Sequence, residues 1–232
     1  MSKIKEVIIP RFESNGMQKV WENRYRNTED FVRKNLKILA YGAGAVVFLI
    51  ALYFAYLNFY LAPRETEAKD QMFRAQSYFE VDSLDRAIKG DGSNPGFEGI
   101  ISEYSGTESA NLAYFYLGSA YLRKGQYQKA IDALGSYHAK DDISGSEALG
   151  MTGDAYSELN NYDQASRYYE KAVNDKPNAF TSAMYLLKEG LVYEQLKNYP
   201  RALELYKRVR SEYSQSQQAR DIEKFIARVE QH

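Results

Sequence analysis

The sequence predicts an all-α chain: a single N-terminal transmembrane helix, then a helical-repeat solenoid, then a C-terminal capping helix. Three observations point there. Residues 38–62, ILAYGAGAVVFLIALYFAYLNFYLA, run for 25 residues without a charge. Farther along, one spacing of small and aromatic residues recurs three times. At the end of the chain, Ile222, Phe225, Ile226 and Val229 share one helical stripe while Arg220, Glu223, Lys224 and Arg228 face away. A solenoid needs such a terminal helix to cover its last apolar face.

A helix of this apolar length reaches about 37 Å, more than the ~30 Å hydrocarbon core of a bilayer. Core helices of soluble proteins are shorter and rarely apolar all round. Cleavage as a signal peptide is not expected, because the leader is 37 residues long and Ala62 is followed by Pro63. Residues 1–37 hold nine Lys/Arg and five acids, a balance of +4, whereas the rest of the chain is at −5. Five of those bases, Arg24, Arg26, Arg33, Lys34 and Lys37, lie close before the span, against Arg64, Lys69 and Arg74 after it. The bias places the N-terminus in the cytoplasm and residues 63–232 on the exported side, the periplasm in a bacterium. The chain has no cysteine, which fits either compartment.

Along the span Ala40, Gly44, Ala51, Ala55, Asn58 and Ala62 form a stripe of small residues on which a second membrane helix can dock, with the Asn58 amide hydrogen-bonding across the contact. The equal alternative is that this stripe faces lipid. Tyr53, Phe54, Tyr56, Phe59 and Tyr60 form an aromatic belt at the outer end. Thr28, followed by Glu29 and Asp30, is the expected N-cap of a helix that runs into the membrane. Residues 1–27 are expected to be an arm carrying the apolar residues Val7, Ile8, Ile9 and Trp21.

The recurring spacing is Gly, Tyr three residues on, Tyr six further and Ala three after that. It reads Gly118, Tyr121, Tyr127, Ala130; Gly153, Tyr156, Tyr162, Ala165; and Gly190, Tyr193, Tyr199, Ala202. Each copy is expected to be a helical hairpin in which the glycine of the first helix faces the alanine of the second and tyrosines fill the groove beside them. Ala75, Tyr78 and Ala87 keep the same offsets, marking a degenerate first unit interrupted by the Gly-rich loop 90–96 and a short helix in FEGIISEY. The resulting division is a basic tail at 1–37, the span at 38–62, a degenerate unit at 63–110, three units over 111–216 (111–144, 146–179 and 183–216) and a cap at 217–232.

These four positions resemble the tetratricopeptide repeat (TPR), a 34-residue helix-turn-helix unit. A single N-terminal span followed by such an array, together with the run GDGSNPGFEGIISEY, resembles the YfgM family of ancillary Sec translocon subunits, in particular members from Bacteroidota. The resemblance implies an inner-membrane protein with a periplasmic repeat domain. Its partners would be the translocon channel and a membrane-anchored chaperone of the PpiD type.

Catalysis is disfavoured by inventory. The two histidines, His138 and His232, have no partners at metal-ligand spacing, and thiolate chemistry is excluded. Run 90–96 lacks the Gly-Lys-Ser/Thr of a phosphate loop, and Asp91, Ser93 and Glu98 lack the ligand alternation of an EF-hand. No cofactor and no small-molecule substrate is expected. A domain at −5 disfavours nucleic acid. What remains is a protein-binding groove on the first helices of the units. Its inward positions are expected to be Phe115, Ser119, Leu122, Asp154, Ser157, Glu158, Leu187, Leu191 and Glu194. The bland reading is that Phe115 and Leu122 only pack and the acids are only solvated. The expected function is a non-catalytic, membrane-tethered adaptor at the translocon, binding its subunits, a periplasmic chaperone or emerging secreted chains. The alternatives are an envelope scaffold for division or outer-membrane assembly, and a reversed topology with a cytosol-facing receptor.

Overall fold

The structure is a computed structural model that describes residues 15–175, 177–178 and 180–232, with side chains from Val32 onward. Two compact units divide between Phe59 and Tyr60.

The first unit is helical from α1, Asn15–Ala55, into a π-helical stretch, Tyr56–Leu61, whose last residues belong to the second unit. The helix thus begins well before Thr28, which lies inside it rather than at its start. Straight-chain helix formers such as Gln18, Lys19, Glu22, Arg24 and Arg26 carry the helix back past the expected cap. Residues 7–9 and the Trp21 side chain lie outside the described structure. Among the described residues one helix is long and apolar enough to cross a membrane, and its apolar window is not buried within the protein. Val47, Phe48 and Leu49 are each more than 60% exposed. Water would penalise that surface on every side, and a bilayer removes the penalty.

The second unit is entirely helical among the described residues. Its helices are α2 Ala62–Glu80, α3 Leu84–Lys89, α4 Phe97–Glu103, α5 Glu108–Arg123, α6 Tyr127–Gly135, α7 Asp142–Glu158, α8 Tyr162–Asn174, α9 Ser182–Gln195, α10 Tyr199–Glu212, α11 Gln217–Arg220 and α12 Ile222–Val229. The pairs α2/α3, α5/α6, α7/α8 and α9/α10 are antiparallel hairpins with one shared turn. In each, a residue seven positions after the small residue of the first helix adopts a left-handed conformation: Asp82 (φ 59°), Gly125 (φ 70°), Asn160 (φ 57°) and Lys197 (φ 56°). The next amide, that of Ser83, Gln126, Asn161 or Asn198, donates back to the carbonyl of Tyr78, Tyr121, Tyr156 or Tyr193. This closure satisfies carbonyls that the end of a helix leaves free. Asn161 and Asn198 then cap the second helix, their side chains accepting from the amides of Gln164 and Arg201.

In the first hairpin the second helix is split. It stops at Lys89, the chain loops through Gly90, and α4 resumes the packing with Phe97 and Ile100 fully buried. Gly90 has φ +93°, and a Cβ there would lie 2.2 Å from the Asn94 carbonyl oxygen, so no other residue fits. Asp91 closes the loop by accepting from the amides of Ser93 (2.8 Å) and Asn94 (2.7 Å) and from the Tyr78 hydroxyl (2.8 Å).

The closest neighbour of each repeat's glycine is a large side chain rather than the expected alanine, although a Cβ on Gly118 would also meet the Ala130 carbonyl oxygen at 3.3 Å. A Cβ on Gly153 would meet the Tyr169 ring at 2.7 Å, on Gly190 the Tyr206 ring at 2.3 Å and on Gly118 the Leu134 side chain at 2.5 Å. The bare backbone is a seat for a large side chain sixteen residues on. Ala130, Ala165 and Ala202 are fully buried nonetheless. Successive hairpins use the same device, since a Cβ on Gly150 of α7 would lie 1.9 Å from Tyr185 of α9. Helix α12 closes the array by burying Ile222, Ile226 and Val229.

Two substitutions test this framework by denaturant unfolding. Gly190→Ala forces a methyl into the Tyr206 ring and is expected to cost about 1–3 kcal/mol. Lys197→Gly relieves a left-handed residue that carries a Cβ and is expected to stabilise by up to about 1 kcal/mol.

Candidate protein-binding cleft

The C-terminal ends of α5, α7 and α9 stand side by side, with the starts of α6 and α8 beside them. Between them lies a cleft of about 800 Å³. Five of the nine expected groove residues line it: Leu122, Asp154, Ser157, Glu158 and Leu191. The other four lie elsewhere. Phe115 packs its ring 5.3 Å from Tyr137, and Leu187 joins the core of the last hairpins. Ser119 is half-buried on α5 outside the cleft. Glu194 is drawn to the capping helix by Arg228 (2.6 Å) and also accepts from the Tyr206 hydroxyl.

The walls are polar and internally bonded. Asp154 accepts from Lys188 Nζ at 2.7 and 2.8 Å and from the Tyr169 hydroxyl at 2.7 Å. Burial, and then the Asp154 charge, push the Tyr169 phenol well above its ordinary value, so it stays a donor. The seating of Tyr169 on Gly153 therefore aims a hydroxyl at the next residue of α7, linking the fold to the cleft wall. Glu158 accepts from the Tyr127 hydroxyl at 3.0 Å, a bond that raises the Tyr127 phenol.

Lys188, Tyr127, Tyr162, Tyr169 and Gln195 were not among the expected residues. Tyr127 and Tyr162 stood in the repeat signature but read as packing. Lys188 carried no signal, because the equivalent positions in the other copies are Tyr116 and Met151.

On the apolar helix, Ala40, Gly44, Ala51, Ala55 and Asn58 are all exposed. Asn58 Nδ2 donates to the Phe54 carbonyl at 2.9 Å, so the amide is engaged within its own helix. The wider turn of the π-helical stretch also shifts the phase of Asn58 against the row of Ala40, Gly44 and Ala51.

The family model for the tetratricopeptide repeat matches residues 97–145 and 151–217. An uncharacterized protein, ycf37, from Guillardia theta is 30% identical over 97 residues; the match covers 40% of this chain and about half, 53%, of that relative. A tetratricopeptide repeat protein from Parabacteroides merdae superposes with a TM-score of 0.57 at 18% identity, over 72% of this chain and 61% of its own. The nearly identical TPR-like repeats of a kinesin light chain from Podosopora anserina superpose with a TM-score of 0.57 at 15% identity, over 72% of this chain and 87% of theirs. At these identities the structural likenesses establish the fold.

Beside the cleft, α9 buries an acid. Glu189 is 1% exposed, its Oε1 has no hydrogen-bond partner among the described residues, and the Arg201 guanidinium is 3.9 Å away. Burial pushes its carboxyl up to about 7. Because the folded value exceeds the unfolded one, the native state holds the proton more tightly. This stability is full below about pH 4.5 and is lost as pH rises through about 7. The denaturation midpoint is expected to fall between about pH 4.5 and 7, and Glu189→Gln is expected to flatten that slope.

Proposed function

Because the chain belongs to the tetratricopeptide-repeat family, we propose that it is a non-catalytic adaptor, tethered to a bacterial inner membrane by α1, that binds proteins through the α5/α7/α9 cleft. The observation that carries this reading is the joining, in one chain, of a membrane-length apolar helix to a repeat array with an open, polar-walled cleft. A tether confines the cleft to a thin layer beside the bilayer and raises its effective concentration for partners there, so modest affinity suffices. The basic residues before the span favour an N-terminus in the cytoplasm and a repeat array in the periplasm. The resemblance to the YfgM family supports the Sec translocon as the site of action, with channel subunits, a PpiD-type chaperone or emerging secreted chains as partners. The row Ala40, Gly44, Ala51 is the surface on which a channel helix would dock.

Purification in mild detergent is expected to bring down the channel, and leucine at all three positions of that row is expected to weaken the association severalfold. Recovery of division or outer-membrane assembly proteins instead would establish the scaffold reading. Digestion of residues 63–232 by protease added to spheroplasts is expected, whereas protection there and digestion in inverted vesicles would reverse the topology.

A further inference from the structure

The two carboxylates of the cleft differ in what answers their charge. Asp154 is neutralised in place by Lys188 and further held by Tyr169. Glu158, at the end of α7, is exposed and has no cation within salt-bridge distance among the described residues. The Tyr127 hydroxyl bonds it from one side, which fixes the carboxylate without cancelling its charge. Tyr127 and Tyr162, the first residues of α6 and α8, line the same cleft and offer π faces that attract a cation. Leu122 and Leu191, the latter 37% exposed, supply apolar area on the same walls.

A cation therefore finds a carboxylate held in position, aromatic rings and an adjoining aliphatic surface. An acidic side chain would find Glu158 opposing it, with Lys188 already engaged by Asp154. Charge complementarity thus selects the occupant, and it does so with walls preorganised by their own hydrogen bonds.

We propose that the cleft recognises a lysine or arginine side chain, flanked by aliphatic residues, in an extended segment of a partner protein, with Glu158 as its counter-charge. This rests on the adaptor reading and names the chemistry of its partner. The lysine ammonium or arginine guanidinium lies against Glu158 between the Tyr127 and Tyr162 rings. The neighbouring aliphatic side chains cover Leu122 and Leu191. Lys188 acts as a positioning residue that keeps Asp154 from competing for the incoming cation.

The test uses the full chain in a neutral detergent with three fluorescent peptides of an extended Leu-X-Leu type, where X is Lys, Gln or Glu. Binding is read by anisotropy at two salt concentrations. The Lys peptide is expected to bind best and to weaken with salt. Glu158→Gln is expected to cost it about fivefold while leaving the Gln peptide unchanged, the size that a part-exposed ion pair supports. Glu158→Lys is expected to reverse the order and favour the Glu peptide, a swap that a merely structural role would not produce. Equal binding of the Lys and Gln peptides, or no response of the Lys peptide to Glu158→Gln in a variant with unchanged circular dichroism, overturns the proposal. If membrane partners still copurify in that case, the adaptor reading stands; if they do not, both fall.

Discussion

The structure depends on a close approach: in α5/α6, α7/α8 and α9/α10 a large side chain of the second helix, an aromatic ring in the last two, lies directly on a glycine of the first. Tyr169 sits on Gly153 and Tyr206 on Gly190, and the contact is so tight that any Cβ would lie inside the ring's van der Waals envelope. Tyr206 is fully buried and Tyr169 nearly so, and each gives up its ring to the core while its hydroxyl reaches an acid of the facing helix, Glu194 or Asp154. A large buried ring contributes strongly to stability, and its polar tip must find a partner when it is buried. One interaction therefore sets the spacing of the helices, fills the core and orients a carboxylate at the surface. The function inherits its geometry from that arrangement.

The turns supply the second constraint. A left-handed residue recurs at one register in all four hairpins, although only Gly125 suits it without strain. Asp82, Asn160 and Lys197 accept the conformation because the carbonyls it satisfies and the packing it permits outweigh its cost. Asp82 holds the same register in α2/α3, whose second helix is broken by the loop at Gly90 and continued by α4.

The repeat period and the apolar helix were legible from residue spacing, because those patterns report which residues must leave water. The partner of each glycine was not. Periodicity shows that a position must be small, but the choice between alanine twelve residues on and tyrosine sixteen on depends on how the rows of two helices interlock. The first copy, with Leu134 in place of tyrosine, hid the signal further. The cleft was half legible for the same reason. Inward-facing positions followed from the register, but the pull of the capping helix on Glu194 and the arrival of Lys188 beside Asp154 are tertiary events. Thr28 shows the opposite error, where a sound local capping signal yields to a longer run of helix-forming residues.

A helix long and apolar enough to cross a membrane and a cleft with preorganised polar walls occur in one tetratricopeptide-repeat chain, a family whose general work is protein interaction. The most direct measurement of the proposal that this cleft holds a protein is photocrosslinking in intact membranes from a reactive amino acid placed at Ser157, inside the cleft, compared with one at Arg167, exposed on α8 outside it. A discrete adduct with a membrane or exported protein from position 157 and none from position 167 is the predicted outcome; equal adducts from both positions, or adducts from 167 alone, would contradict the account.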